Sequence, residues 1–105
     1  MDLGGIRTLT SVVTNTRSDF TQWVSSYTLT YSYDSVMWHN VTDSDGHTLV
    51  FDGNTQYNVA HENEFEVLLT ARYVALHPKS WYKHIVLRWG LFGCPYGKMR
   101  LYYTW

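Results

Sequence analysis

Apolar and polar residues alternate along much of this chain. From Trp23 to Tyr33 (WVSSYTLTYSY), Trp23, Tyr27, Leu29, Tyr31 and Tyr33 share one face with Ser25 among them. Val24, Ser26, Thr28, Thr30 and Ser32 share the other. A period of two belongs to a half-buried antiparallel strand, whereas a helix would scatter those rings around its circumference. Ile85 to Phe92 alternates in the same way: Ile85, Leu87, Trp89 and Leu91 oppose Val86, Arg88, Gly90 and Phe92. This predicts a strand with one face on a core. Ile6 to Thr14 (IRTLTSVVT), rich in β-branched residues, reads as a third strand.

The segments between these runs carry turn chemistry. Asp2-Leu3-Gly4-Gly5 reads as a polar, flexible start, and Asn15 to Gln22 as a loop with Phe20 as its one large apolar residue. Asp34-Ser35, Asp43 to Gly46 and Asp52-Gly53-Asn54 are turn signals. They frame short strands expected at Val36–Trp38 and His47–Phe51. Phe65 to Leu76 is apolar and β-rich, though Glu64 to Leu69 fits one helical turn equally well. Pro78 then breaks the run, and a loop follows to His84 carrying Trp81, Tyr82 and Lys83. In the tail, Met99, Leu101, Tyr103 and Trp105 alternate with Arg100, Tyr102 and Thr104. The tail fits a last strand covering a sheet edge or a disordered, sticky end, and the strand is favoured. Short strands separated by frequent turns predict an all-β antiparallel sandwich or barrel.

Composition narrows the function classes. At 105 residues there is room for one domain with one core. Five Trp, nine Tyr and four Phe favour β structure. A formal net charge of −1 gives no electrostatic footprint for nucleic acid or for bulk attraction to an acidic membrane. No apolar run reaches the roughly 18 residues of a membrane-spanning helix, and MDLGGIRTLT lacks the basic head and apolar middle of a signal peptide.

Candidate chemistry is sparse. His39, His47, His61, His77 and His84 show no zinc-ligand spacing and read as solvated or core residues. Asp43-x-Asp45-Gly46 lacks the further carboxylates of a calcium loop and reads as a hairpin turn. Glu62, Glu64 and Glu66 read as a solvated face rather than a catalytic pair. Arg88, opposite the apolar face, reads as an anchor for a carboxylate or for backbone carbonyls. Neither a phosphate-binding glycine loop nor a serine elbow is present, and Cys94 lacks the context of a nucleophile. No enzyme activity and no cofactor are expected. Cys94, the only cysteine, is either a half-buried thiol or half of a disulfide whose partner lies in other sequence. Asn40-Val41-Thr42 is an N-glycosylation sequon, meaningful if the chain enters the secretory pathway.

Several motifs, in order, carry a family resemblance. They are Asp2-Leu3-Gly4, Thr14-Asn15, Trp23-Val24-Ser25-Ser26-Tyr27, Tyr31-Ser32 with Asp34, Trp38, and Phe51-Asp52-Gly53-Asn54. The segment Ala71 to Cys94 closes the series with its Ala-Arg-Tyr strand, Pro-x-x-Trp loop and Leu-Arg strand running into Gly93-Cys94. Together they resemble the discoidin (coagulation factor 5/8 type C) domains. The likeness covers residues 1–94 and leaves 95–105 as an aromatic tail with no family counterpart. Family domains begin well upstream, with a first strand, a Trp-bearing loop and usually a cysteine paired to the closing one. The resemblance therefore corresponds to the C-terminal two-thirds of such a domain, an N-terminally incomplete jelly-roll-like sandwich. Gly90 stands where the closing strand usually carries Glu.

The resemblance implies a non-enzymatic extracellular module, part of a larger parent protein, that binds phospholipid headgroups, glycans or a cell-surface protein, often in adhesion. Its loops at one end of the sandwich would do the binding. Here those are the 15–22 loop, with Arg17, Ser18, Phe20 and Thr21, and the 78–84 loop, with Trp81, Lys83 and His84. Phe20 and Trp81 are then candidates to insert at a bilayer interface or to stack on a sugar, while Arg17 and Lys83 pair with phosphate or carboxylate. Alternatively Phe20 folds back on the core and Trp81 is a packing residue. The competing function is a truncated structural fragment, without a ligand, that self-associates through an open sheet edge or is completed by a partner.

Overall fold

The computed structural model describes residues 1–15, 23–54, 60–82, 88–93 and 100–103. Seven strands run through them: β1 (Asp2–Asn15), β2 (Trp23–Ser32), β3 (His39–Asn40), β4 (Phe51–Asp52), β5 (His61–Tyr82), β6 (Arg88–Gly93) and β7 (Arg100–Tyr103). Every pairing is antiparallel, and no helix occurs among the described residues. The strand order is β3-β2-β5-β1-β6-β7, with β4 also on β2.

β5 curls this order into two layers. As far as Tyr73 it pairs with β1, and from Tyr73 to Tyr82 with β2. Leu9, Val12 and Leu91 from the β1–β6 layer therefore meet Val24, Tyr27, Leu29 and Phe51 from the β2–β4 layer in one buried cluster. Each such side chain, fully buried, contributes about 1.5–3 kcal/mol. Two asparagines tie the layers together. Asn63 Nδ2 donates to the Asp52 carbonyl at 2.7 Å and to the Tyr27 hydroxyl at 3.1 Å, and Asn54 Nδ2 donates to the Thr14 carbonyl at 3.2 Å. The outcome is the all-β antiparallel sandwich that the alternation predicts.

Local departures have identifiable causes. The start expected to be flexible is strand: Leu3 is buried, and Met1 exchanges two backbone hydrogen bonds with Val74. Between Asp2 and Arg7 five steps of β1 oppose two of β5, a bulge that Gly4 enters with φ +78°. The loop expected from Pro78 is strand as far as Tyr82. Pro78 lacks an N–H, but it lies opposite Tyr27 at a register shift and beyond the last residue that β1 pairs. Bulged or one-sided positions are where a sheet tolerates proline. That same irregularity, at Ser25 and Ser26, flips the face of β2. Val24 is buried together with Tyr27 and Leu29, contrary to strict alternation.

Val36 and Met37 form a bend and Trp38 is irregular, so Val36–Trp38 is not a strand. The Asp34 carboxylate accepts the amides of Val36 at 2.9 Å and Met37 at 3.0 Å, and Ser32 Oγ accepts those of Asp34 and Ser35. These donors are therefore not free to join a ladder. The expected 47–51 strand reduces to a Thr42–Thr48 bridge and β4. Glu64–Leu69 belongs to β5, not to a helical turn, and Arg100–Tyr103 of the tail pairs with β6 as β7.

The Asp34 turn has a pH signature. The amides of Val36 and Met37 hold its carboxyl below the usual 3.8. A depressed folded value means the turn's stabilisation is complete above 3.8 and fades as pH falls through the folded value. In an NMR acid titration the Val36 and Met37 amide shifts should stay constant down to about pH 4 and then move together. Movement beginning near neutrality would contradict the capping role.

Candidate functional site at one end of the sandwich

Asn54 defines the end that matters. Its backbone N–H donates to the Val24 carbonyl at 2.9 Å while its side chain reaches Thr14, so the end of β1 and the start of β2 lie side by side. Register places the remaining termini there. Thr14 pairs with His61 and Trp89, Asn15 with Arg88, Trp23 with Tyr82, and Val24 with Trp81. β5 thus leaves this end at His61 and returns to it at Tyr82. The strand ends and turns that flank residues 16–22, 55–59 and 83–87 all lie here, while those residues themselves, with Ile85 to Leu87 of the expected closing strand, lie outside the described residues.

The anchor layer presents rings and hydroxyls. Trp81 is 47 % exposed and Tyr82 46 %, although each lies in β5 and is paired with β2. Trp81 is paired with buried Val24, so its ring stands at the rim of the core rather than on a free loop. Trp89 is half-buried and packs on the core. Beside them the Ser80 hydroxyl is hydrogen-bonded to those of Ser25, at 2.7 Å, and Ser26, at 2.6 Å. Below the rim, burial of the Tyr27 ring pushes its hydroxyl up to about 12, so it stays a neutral bridge to Asn63 through the physiological range.

Of the residues expected to bind, Trp81 is placed at this end with its ring accessible. Arg17, Ser18, Phe20, Thr21, Lys83 and His84 lie outside the described residues, as does Cys94, but the anchors of their two segments adjoin through the Asn54 bridge. Sequence reasoning did not single out Tyr82 or Asn54. Tyr82 was visible as a second ring beside Trp81. The Gly53-Asn54 pair signalled only a turn. Asn40 is exposed on β3, paired with Thr30 towards the other end of β2. Glu62, Glu64 and Glu66 are exposed, as a solvated face requires. Asp43, Asp45 and His47 approach one another within 4.8 Å. The Asp43 carboxylate already accepts the amides of Asp45 and His47, and Gly46 closes the turn with φ +84°.

Residues 1–91 match the F5/8 type C domain. The chain is 41% identical to lactadherin of Mus musculus over 96 residues, covering 90% of this chain and 20% of the mouse protein. It is 32% identical to Neurexin-4 of Drosophila melanogaster over 104 residues, 99% of this chain and 8% of the relative. The native structure of recombinant discoidin II of Dictyostelium discoideum superposes with a TM-score of 0.78 at 31% identity, over 90% of this chain and 36% of that one. This chain thus spans only a small part of the relatives it matches. It belongs to the F5/8 type C (discoidin) domain family, whose members are non-enzymatic binding modules.

Proposed function

We propose that this chain is an extracellular module that attaches a larger protein to phospholipid headgroups or cell-surface glycans, through the end built on Asn15, Trp23, Asn54, Tyr82 and Arg88. The observation that carries the proposal is the convergence on one end of the residues flanking 16–22, 55–59 and 83–87, beside two accessible rings held by a strand ladder. A ring fixed in this way loses little conformational freedom on binding, which favours adsorption to a surface. Phe20 and Trp81 supply apolar contact, Arg17 and Lys83 supply charge, and Ser18, Thr21 and His84 supply polar contacts. Asn40 is an accessible glycan acceptor, and Cys94 pairs with a cysteine elsewhere in the parent protein.

Withdrawing one such ring from water is worth about 1.5–3 kcal/mol. Phe20→Ala and Trp81→Ala should therefore each weaken binding by about 10- to 100-fold. Sedimentation with phosphatidylserine vesicles and a glycan array would measure this. Raised salt should weaken the vesicle interaction further by screening Arg17 and Lys83. If both variants bind vesicles and glycans as well as the parent sequence, the proposed site is wrong.

A further inference from the structure

A second surface stands apart from that end. Leu9 pairs with Leu69 and Ser11 with Glu64, so two steps of β1 oppose five of β5, and Phe65 to Leu68 bulge away opposite Thr10. The crown of the bulge is apolar and wet: Val67 is 80 % exposed and Leu68 59 %. A groove lies on each side. One, of about 270 Å³, runs between the bulge and the 40–44 segment, with Tyr31, Val41, Leu49 and Phe65 in its walls and Asp43 and Glu66 on its polar side. The other, of about 570 Å³, lies towards β1 and Phe92 and is lined by Glu62 and Glu64.

The charge of this surface is one-sided. Among the described residues, four carboxylates line the two grooves and no Lys or Arg does, in a chain with eight basic and nine acidic residues. Such a field repels anionic lipid and anionic glycans and attracts a cationic partner. Apolar walls with an acidic rim match a segment whose apolar side chains alternate with basic ones.

We propose that the Phe65–Leu68 bulge docks a basic, apolar-anchored peptide segment of a partner protein. One apolar side chain enters the Tyr31–Leu49–Phe65 groove against Val67 and Leu68. Lys or Arg side chains on either side meet Glu62, Glu64 and Glu66. The inference stands independently of the ligand end, because the two surfaces share no residue.

Three synthetic peptides test it: Lys-Leu-Lys-Phe-Lys-Leu-Lys, its counterpart with Ser in place of Leu and Phe, and its counterpart with Glu in place of Lys. Only the first should bind, shifting the amides of Thr10, Val41, Val67 and Leu68 in NMR spectra. A Glu62→Gln, Glu64→Gln, Glu66→Gln triple variant should weaken it at least tenfold, as should Val67→Ser with Leu68→Ser. All five positions are exposed, so the variants should unfold like the parent. Equal binding of the Ser peptide, binding unchanged in the triple variant, or shifts confined to Trp81 and Tyr82 would overturn the proposal. Adsorption of zwitterionic vesicles at Val67 and Leu68 would overturn it in favour of a lipid contact.

Discussion

Gly53→Ala should destabilise the fold by about 3–5 kcal/mol. A Cβ on Gly53 would lie inside van der Waals contact with the Val24 carbonyl oxygen and 3.2 Å from the Val24 carbonyl carbon. The obstruction is backbone, so no rotamer change relieves it. Relief requires β4 to draw away from β2, breaking the bonds from Gly53 N–H to Ser25 at 2.8 Å and from Asn54 N–H to Val24 at 2.9 Å. Overpacking alone costs about 1–3 kcal/mol, and each lost hydrogen bond adds about 1 kcal/mol. Gly46→Ala is the control. Gly46 has φ +84° but nothing within 4 Å of an added Cβ, so it should lose only the backbone term of about 1–2 kcal/mol. Urea unfolding of both variants measures the difference. Equal losses would mean that β4 does not press on β2.

Tyr27→Ala is the second large effect, with an expected cost of about 3–5 kcal/mol. Tyr27 is fully buried, its ring stacks on Phe51 at 5.4 Å between centroids, and its hydroxyl accepts from Asn63 across the layers. Tyr27→Phe separates the ring from the bridge. It keeps the packing and leaves Asn63 its bond to Asp52 at 2.7 Å, so about 0.5–1.5 kcal/mol should be lost. If Tyr27→Phe cost as much as Tyr27→Ala, the hydroxyl bridge and not the ring would hold the layers together.

These predictions rest on contacts that local sequence patterns do not encode. Alternation from Tyr27 to Tyr31 showed which face of β2 is buried, because undisturbed pleating has a period of two. It misplaced Val24, because the bulge at Ser25 and Ser26 depends on how β5 pairs alongside. Pro78 read as a break because its missing N–H is visible in the sequence, while the one-sided pairing that accommodates it is not. Val36-Met37-Trp38 looked like a strand until the Asp34 carboxylate claimed its amides. Family-like motifs around residues 15–22 and Trp81 pointed in the sequence to the end that we propose meets ligand. The bridge from Asn54 to Thr14 and Val24 was not legible, since it joins segments far apart in the chain. The bulge at Phe65–Leu68 was hidden for the same reason, because only the partner strand reveals surplus residues.

The central claim is that ligand meets the end bearing Trp81 and not the end bearing Trp38. The two lie at opposite ends of β2, whose ten residues span roughly 30 Å. Trp38 donates its indole N–H to the Ser35 carbonyl at 3.2 Å, and its ring sits 6.5 Å from that of Tyr73, so each indole reports on its own end. Following the indole N–H resonances while phosphatidylserine nanodiscs, and separately glycans, are titrated in reads both ends in one spectrum. The Trp81 resonance should shift or broaden at concentrations that leave Trp38 unchanged. A response at Trp38 with Trp81 unmoved would place the binding surface at the wrong end of the molecule and contradict the account.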